Sequence, residues 1–309
     1  MKITSGRRSF VTSLGATAAL GALGPGKVFA SGSPGKLVAE RLADQLLLVR
    51  GAGANVVVAR DAAGLAFMDG GLASSGAALL SLAQREFGVK QTHTLLNTHW
   101  HREHTGLNER LGKQGAKIIA HENTRLWLST TVRLEPDGPP FLPLPPAARP
   151  NATTYTTGEL QLGEETARYG YLSQAHTDGD LYVFFTKANV LVTGGVVAGN
   201  GWPTADWVTG GWINGTVAGY KTLMDLCDES TRVVTAYGDR LFNKANLQAE
   251  RDMLVKVADQ LGKMMRAGFG PADMLAANPA KDYVAQMGDP TRFLTESFKS
   301  MWPRMAPDA

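Results

Sequence analysis

The stretch Thr98-His99-Trp100-His101-Arg102-Glu103-His104-Thr105-Gly106 decides how this chain is interpreted. It follows an apolar strand-like run at 93–97 and holds three of the six histidines in the sequence. At the end of a strand, the alternate side chains of His99 and His101 point the same way. Neutral imidazole is a preferred ligand of zinc. Packing alone does not explain three histidines with a carboxylate between them, so the stretch predicts a metal site.

Strand-like and helical patterns lie on both sides of this motif. Strands are predicted at 45–49, 55–58, 65–68, 117–120, 167–172, 181–186, 190–193 and 232–236. Helices are predicted at 74–87, 122–130, 217–227 and 244–266. Seven prolines between 136 and 150 predict an exposed loop without regular structure. The pattern favours two halves, each made of a sheet with helices.

The histidine motif closely resembles the HxHxDH signature of the metallo-β-lactamase superfamily. Other landmarks of that family follow in order: the turn Asp69-Gly70-Gly71, the stretch AHTDGDLYVFF around His176, NVLVTGG ending at Gly195, and VVTAYGD around Tyr237. The resemblance extends over nearly all of the chain after residue 30. It implies an α/β fold of the αββα type, a four-layer sandwich of two sheets with helices outside. It also implies an active site in a groove at one edge.

The resemblance assigns three histidines, His99, His101 and His176, to the first zinc site of the family. The second site of the family normally uses an aspartate and a histidine of the first motif, a bridging aspartate and a late histidine. The corresponding residues here are Glu103, His104, Gly195 and Tyr237. Glycine offers no ligand, and a phenol that titrates near pH 10 is a poor zinc ligand at neutrality. We therefore predict one zinc ion per chain.

The alternative is a second zinc or another divalent ion held by Glu103 and His104. One of three aspartates elsewhere in the motifs would then complete a repaired site: Asp178, Asp180 or Asp239. In the favoured interpretation Glu103 is instead a general base, and His104 carries a proton or orients a group. With Tyr237, these two residues are the candidate catalytic residues.

Three neutral histidines and a water form a complete catalytic zinc arrangement, which lowers the pKa of the water to about 7. We therefore predict a hydrolase that attacks the carbonyl of an ester, thioester, lactone or lactam. One alternative is a degenerate relative that keeps the fold and binds a ligand without chemistry. Another is a metal-dependent lyase or isomerase that uses Glu103 to abstract a proton from an aromatic compound.

Several other residues are candidates for contacts with a small-molecule substrate. Four tryptophans would form an aromatic wall, or else lie buried: Trp100, Trp202, Trp207 and Trp212. Three polar residues of the same loop would add contacts: Asn200, Thr204 and Asp206. Structural roles are expected for His93 and His121, with support of a metal ligand as an alternative for His121.

Residues 1–30 have the parts of an export signal. The pair Arg7-Arg8 precedes a weak apolar stretch at 10–23, and small residues precede a cleavage site expected after Ala30. The arginine pair resembles a twin-arginine signal, which predicts recognition by the twin-arginine machinery and a periplasmic location without a stable membrane anchor. Residues 31–309 would form the metallo-β-lactamase-fold domain with C-terminal helices.

Charge and cysteine content exclude other classes. The chain of 309 residues has 31 bases and 28 acids, a net charge of +3. Residues 1–30 contribute four bases and no acid, so 27 bases face 28 acids in the rest. No basic surface for nucleic acid is therefore expected. The single Cys227 excludes an intramolecular disulfide.

Overall fold

Seven strands form the first sheet in the same order as in the sequence, within residues 35–305, which the computed structural model describes. They are β1 (Val38–Ala43), β2 (Leu46–Arg50), β3 (Val56–Arg60), β4 (Leu65–Met68), β5 (Thr92–Leu96), β6 (Lys117–His121) and β7 (Ala152–Thr154). β1 to β4 are antiparallel neighbours, whereas β4 to β7 are parallel. Parallel neighbours need crossover connections. These contain α1 (Gly76–Phe87), α2 (Asn108–Lys113) and α3 (Glu122–Ser129).

The second sheet has five strands in the order β12-β11-β10-β9-β8. They are β8 (Thr157–Leu162), β9 (Glu165–Leu172), β10 (Asp180–Phe185), β11 (Val190–Val192) and β12 (Arg232–Val234). All pairs are antiparallel except β11 with β12. Five helices accompany this half: α4 (Ile213–Asp225), α5 (Lys244–Arg266), α6 (Pro271–Ala277), α7 (Val284–Met287) and α8 (Thr291–Met305).

Three apolar layers alternate with the sheets and helices. Leu48 of β2 and Val183 of β10 belong to the core between the two sheets. The neighbouring Leu47 points to the opposite face, where it packs with Leu79 of α1, as the two-residue period of a strand requires. A third core joins the second sheet to α4, α5 and α8 and includes Leu254. The four-layer αββα sandwich is therefore confirmed.

The elements predicted from sequence periodicity are present with small shifts at their ends. α5 begins and ends at the predicted residues, and Asn243 caps it by accepting a hydrogen bond from the Asn246 amide. The proline-rich stretch is less featureless than predicted, since Phe141 pairs with Val132 and residues Pro146–Ala148 form a 3-10 turn. Among the described residues, no helix combines the length and apolar character needed to cross a membrane.

The motifs meet at one edge of the sandwich because several strands end there. Asp69 follows β4, Thr98 follows β5, Gly195 follows β11 and Tyr237 follows β12. His176 lies in the connection between β9 and β10. The Leu181 amide of β10 donates to the Thr98 carbonyl at 2.7 Å, which links the two sheets beside the histidine motif.

Candidate metal centre

The three histidines predicted as zinc ligands converge on one point. His101 Nδ1 lies 3.2 Å from His99 Nε2 and 3.0 Å from His176 Nε2. One nitrogen from each ring lies within 4.8 Å of the others, and all three side chains are buried. Among the residues that the structure describes, this is the one group of three or more His, Cys, Asp or Glu side chains arranged to hold a metal ion.

Asp69 and Thr98 fix the protonation of His99. The Thr98 hydroxyl donates to Asp69 Oδ2 at 2.8 Å, and the Thr98 amide donates to Asp69 Oδ1 at 2.8 Å. Since the hydroxyl proton is already donated, Thr98 Oγ1 accepts from His99 Nδ1 at 3.0 Å. His99 therefore carries its proton on Nδ1 and keeps a lone pair on Nε2, the nitrogen that faces the other two rings.

Asp206 fixes His101 in the same manner. Its Oδ2 lies 3.1 Å from His101 Nε2, and both side chains are buried. The same oxygen accepts from the Thr209 hydroxyl at 2.5 Å, and Oδ1 accepts from the Val208 and Thr209 amides. A carboxylate accepts hydrogen bonds and does not donate them. His101 Nε2 therefore carries the proton, and Nδ1 presents its lone pair to the centre.

The Thr204 carbonyl fixes His176, because it accepts from Nδ1 at 2.7 Å and leaves Nε2 unprotonated. Burial, and after it the neighbouring His101, lowers the pKa of His176 to about 3. Burial also holds the pKa of His99 well below 6.5. Three neutral imidazoles with inward lone pairs and outward protons are the ligand chemistry that zinc requires, so the residues fit a metal ion.

Gly195, at the bridging position of the family, has no space for a ligand. A methyl group added to its Cα would lie 2.3 Å from His176 Cδ2 and 2.9 Å from His99 Cε1. The backbone therefore packs directly against two of the three imidazoles. A side chain here would displace them, so the absence of a ligand at this position has a steric basis.

Glu103 and Tyr237 pair with each other where the family has two ligands of its second metal. The Tyr237 hydroxyl donates to Glu103 Oε1 at 2.9 Å. Burial alone would raise the pKa of Glu103, but His101, His104, a backbone amide and the Tyr237 hydroxyl lower it below the ordinary value. Burial and the Glu103 charge raise the pKa of Tyr237 well above 10. A protonated phenol therefore holds an ionised carboxylate beside the histidines.

His104 lies against this pair and against the first site. Its Nδ1 donates to Asp69 Oδ2 at 2.7 Å, and its ring centroid lies 4.2 Å from that of His99. Within the described part of the chain, the buried Nε2 has no hydrogen-bond partner. Burial lowers the pKa of His104, but the charge and hydrogen bond of Asp69 and the charge of Glu103 raise it above the ordinary value. The ring is thus equipped to take up a proton.

The aspartates considered for a repaired second site do not join this cluster. Asp180 accepts from the amide and hydroxyl of Thr177, both at 2.8 Å. Asp178 Oδ1 accepts from Trp127 Nε1 at 2.7 Å, and Asp239 is exposed to solvent. The oxygen atoms of Asp180 and Asp178 accept these local hydrogen bonds, and none of the three aspartates belongs to the histidine group.

The four tryptophans considered as a substrate wall have different environments. Trp100 is fully buried, and Trp202 stacks on Phe293 of α8 with centroids 4.6 Å apart. Trp202 and Trp212 are partly buried against the core that includes α8. Trp207 alone of the four is exposed. Trp202 and Trp212 therefore anchor the loop to the C-terminal helices, and an aromatic substrate stays a prediction.

The remaining candidates fall into structural and supporting roles. His93 Nε2 lies 3.2 Å from Asp61, away from the metal centre. His121 caps α3 by accepting from the Asn123 amide and stacks on Tyr171 at 4.2 Å. Asp206, considered for substrate contact, instead lies behind His101.

Asp206 and Thr204 are the site residues whose roles sequence reasoning did not identify. His101 and Asp206 are 105 positions apart. Thr204 is 28 positions from His176 and binds it through its backbone carbonyl, not through its side chain. A backbone carbonyl is present at every position of a chain, so no residue pattern marks it. For Asp206 the one local signal is its place at the start of a 3-10 turn, where its side chain accepts from two amides.

Comparisons with known proteins support the fold described above. The family model described as Metallo-beta-lactamase superfamily matches residues 49–251. No curated protein matches the sequence. Similar solved structures include a metallo-beta-lactamase from Pontibacter korlensis, at 15% identity and a TM-score of 0.59, covering 71% of this chain and 99% of that chain. The sec-alkylsulfatase Pisa1 from Pseudomonas sp. has 14% identity and a TM-score of 0.62, covering 87% of this chain and 50% of that chain. At these identities the similarity shows the fold alone.

Proposed function

The chain belongs to the metallo-beta-lactamase superfamily, and we propose that it is a hydrolase that holds one zinc ion with His99, His101 and His176. Its substrates in this proposal are carbonyl compounds: esters, thioesters, lactones or lactams. The proposal is carried by one observation: each of the three imidazole rings directs one nitrogen to a common point. The other nitrogen of each ring binds a fixed hydrogen-bond acceptor. Such outer partners orient metal ligands and raise their basicity.

A zinc ion supplies Lewis acidity and lowers the pKa of water to about 7. The protein provides a base beside it, because the buried Glu103 is ionised and within reach of the histidine cluster. Glu103 takes a proton from the water that attacks the carbonyl carbon. As the bond from that carbon to the leaving group breaks, the proton passes to the leaving oxygen, sulfur or nitrogen. One water is consumed and no redox partner is needed.

Tyr237 and His104 position and assist this base. The hydroxyl of Tyr237 holds Glu103 Oε1 in one orientation, which is the effect that a bound cation would otherwise have on a carboxylate. His104 is oriented by Asp69 through Nδ1, which leaves Nε2 available to accept or donate a proton. This arrangement favours one metal ion, with protein groups in place of the second.

Metal analysis and an activity panel test the proposal together. Mass spectrometry of protein purified without added metal should find about one zinc per chain, and His101→Ala should remove it. His93→Ala, outside the centre, is the matched control and should keep the metal. Ester, thioester, lactone and lactam substrates should then show metal-dependent hydrolysis. Two ions per chain, or metal retained in His101→Ala, would contradict the one-zinc site.

The outcomes also separate the alternative functions. Bound metal without turnover of any substrate would indicate a ligand-binding relative. Product formation without oxygen from the solvent would indicate a lyase or isomerase, because hydrolysis incorporates one oxygen of water into the product.

We also propose export to the periplasm by the twin-arginine route. Residues 1–30 lie outside the described residues, so this proposal depends on the sequence, in which Arg7-Arg8 precede a weak apolar stretch. Replacing both arginines by lysine should trap the uncleaved chain in the cytoplasm. Normal export of that variant would contradict the twin-arginine route and favour a general secretory signal.

A further inference from the structure

Trp100 lies between two of the predicted zinc ligands in the sequence, and its ring is buried in the structure. Its indole nitrogen Nε1 donates to the Thr209 hydroxyl oxygen at 3.0 Å. Thr209 is 109 positions later, is also buried, and ends the 3-10 turn Trp207–Thr209 that follows Asp206. The indole therefore connects the histidine motif to the turn beside the hydrogen-bond acceptor of His101.

The chemistry of the two groups gives this contact one direction. An indole N–H donates and cannot accept, so the Thr209 oxygen accepts from Trp100 and its own proton is available for another group. Among the described residues, the hydroxyl has one acceptor, Asp206 Oδ2 at 2.5 Å. The same oxygen accepts from His101 Nε2 at 3.1 Å. The four buried side chains thus form three consecutive hydrogen bonds, and the direction of each one is determined.

The Thr209 hydroxyl completes the set of donors around Asp206. The Val208 and Thr209 amides donate to Oδ1, while the Thr209 hydroxyl and His101 donate to Oδ2. An ionised carboxylate has about four acceptor positions, so all of them are in use. Without the hydroxyl, His101 would be the one remaining donor to Oδ2, and the contact that holds this oxygen beside the imidazole would be lost.

The turn that follows Asp206 packs against the segment of the third ligand. The Asp206 amide donates to the His176 carbonyl at 2.7 Å. Gly211, just after the turn, approaches so closely that an added Cβ would lie 2.1 Å from the His176 carbonyl oxygen. The turn is therefore fixed to the segment that carries His176, whereas the indole of Trp100 joins it to the segment that carries the other two ligands.

We propose that Trp100 and Thr209 are positioning residues of the zinc site, which act on His101 through Asp206. This inference rests on the proposed zinc site. The indole fixes the Thr209 hydroxyl, the hydroxyl holds Asp206 Oδ2, and that oxygen keeps the proton of His101 on Nε2. His101 Nδ1 then presents its lone pair to the centre before a metal ion arrives, so that binding requires no rearrangement of the ring.

Zinc affinity, measured by competition with a chromophoric chelator, tests the role of the hydroxyl. Thr209→Val keeps the shape of the side chain and removes the donor, so affinity should fall about tenfold, the lower end of the effect of losing an outer partner of a metal ligand. Thr209→Ser keeps a hydroxyl and should retain the affinity.

Thr124→Val is the matched control for this series. It removes an equally buried hydroxyl, which donates to the Gly179 carbonyl at 2.9 Å and lies outside the histidine group. Its zinc affinity should match that of the unchanged protein. Full affinity in Thr209→Val, or an equal loss in Thr209→Ser, would overturn the proposal.

A double-mutant cycle tests the role of the indole. Trp100→Phe keeps an aromatic ring without the N–H and should weaken zinc binding about threefold, within the net effect of one hydrogen bond. If the indole acts through Thr209, the same substitution in Thr209→Val should cause no further loss. An equal loss in both backgrounds would show that Trp100 acts by packing alone, and no loss in either would exclude it; both results overturn its positioning role. If Trp100→Phe does not fold, the Thr209 series decides the proposal.

NMR of the zinc-free protein, with labelled histidine nitrogens, gives a readout that does not depend on zinc. The His101 Nε2–H signal should be present in the unchanged protein and in Thr209→Ser, because the bond to Asp206 protects this proton from exchange with water. In Thr209→Val the signal should be lost through exchange. A signal that persists in Thr209→Val would overturn the proposal. If the unchanged protein binds no zinc but the signal disappears in Thr209→Val alone, the proposed zinc site fails and the link from Thr209 to His101 stands.

Discussion

Asp206 Oδ2 lies 3.1 Å from His101 Nε2, and this contact determines which nitrogen of His101 faces the centre. His99 and His176 present Nε2, whereas His101 presents Nδ1. The difference follows from the position of the acceptor, because Asp206 occupies the side of the ring where Nε2 lies. Asp206 is itself held by the Thr209 hydroxyl and two amides, so it cannot turn away without losing those bonds.

Asp206→Asn should therefore weaken the metal site without removing a ligand. The amide is uncharged and no longer stabilises the proton on His101 Nε2 as strongly, so zinc affinity should fall about 10–100-fold. Competition with a chromophoric chelator measures this affinity. Asp239→Asn is the control, since Asp239 is exposed and outside the histidine group. Unchanged affinity in Asp206→Asn would show that the contact does not support the metal.

The fold and the three inward histidines could be predicted from sequence because local patterns specify them. His99 and His101 are two residues apart at a strand end, and His176 lies in a recognisable stretch. The strands β1, β7 and β8 were missed, since most of their residues are exposed or half-buried and β7 has only three residues. Tertiary pairing, which a single sequence does not display, stabilises them.

The altered half of the centre was partly predictable. The substitutions at Gly195 and Tyr237 are visible in the sequence, but their physical consequences are not. Only the folded chain shows that the Gly195 backbone packs on two imidazoles and that Tyr237 reaches Glu103, 134 positions earlier.

Restoring a carboxylate at position 195 should damage the first site and not create a second one. The added Cβ would lie 2.3 Å from His176 Cδ2, so Gly195→Asp should displace His176 and lower the zinc content. Gly195→Ala should already destabilise the protein by about 1–3 kcal/mol through overpacking. The control is Gly270→Ala, where the nearest atom is Asp273 Oδ2 at 3.7 Å. Two zinc ions per chain in Gly195→Asp would contradict this explanation.

Zinc binding should persist in mild acid. Protons compete with zinc for an imidazole only below the pKa of that imidazole, and burial lowers the pKa of His176 to about 3 and that of His99 well below 6.5. Two unshifted imidazoles would together lose about thirtyfold in affinity between pH 6.5 and pH 5.5. We expect less than a tenfold change over that range in chelator competition. A thirtyfold loss would show that these rings titrate normally.

The Glu103→Gln variant distinguishes two roles of Glu103, as a general base and as a metal ligand. Glutamine keeps the size of the side chain and still accepts the Tyr237 hydroxyl bond through its carbonyl oxygen, but it cannot take up a proton. If Glu103 is the general base, zinc content stays at one ion and the rate falls about 10²–10⁴-fold. A parallel loss of zinc and activity would identify Glu103 as a ligand. Unchanged activity would exclude it from catalysis.

Tyr237→Phe should move the pH dependence of the reaction and leave the zinc in place. The Tyr237 hydroxyl stabilises the ionised form of Glu103 from 2.9 Å, and so contributes to the lowered pKa of that carboxyl group. Removing the donor raises the pKa of Glu103. Because the base acts only when ionised, the acid limb of the kcat/KM profile should shift to higher pH, while activity above the limb changes less. Tyr155→Phe, on an exposed side chain outside the centre, is the control. Loss of zinc from Tyr237→Phe would instead identify the phenol as a metal ligand. An acid limb at the same pH as in the unchanged protein would show that Tyr237 does not influence the pKa of Glu103.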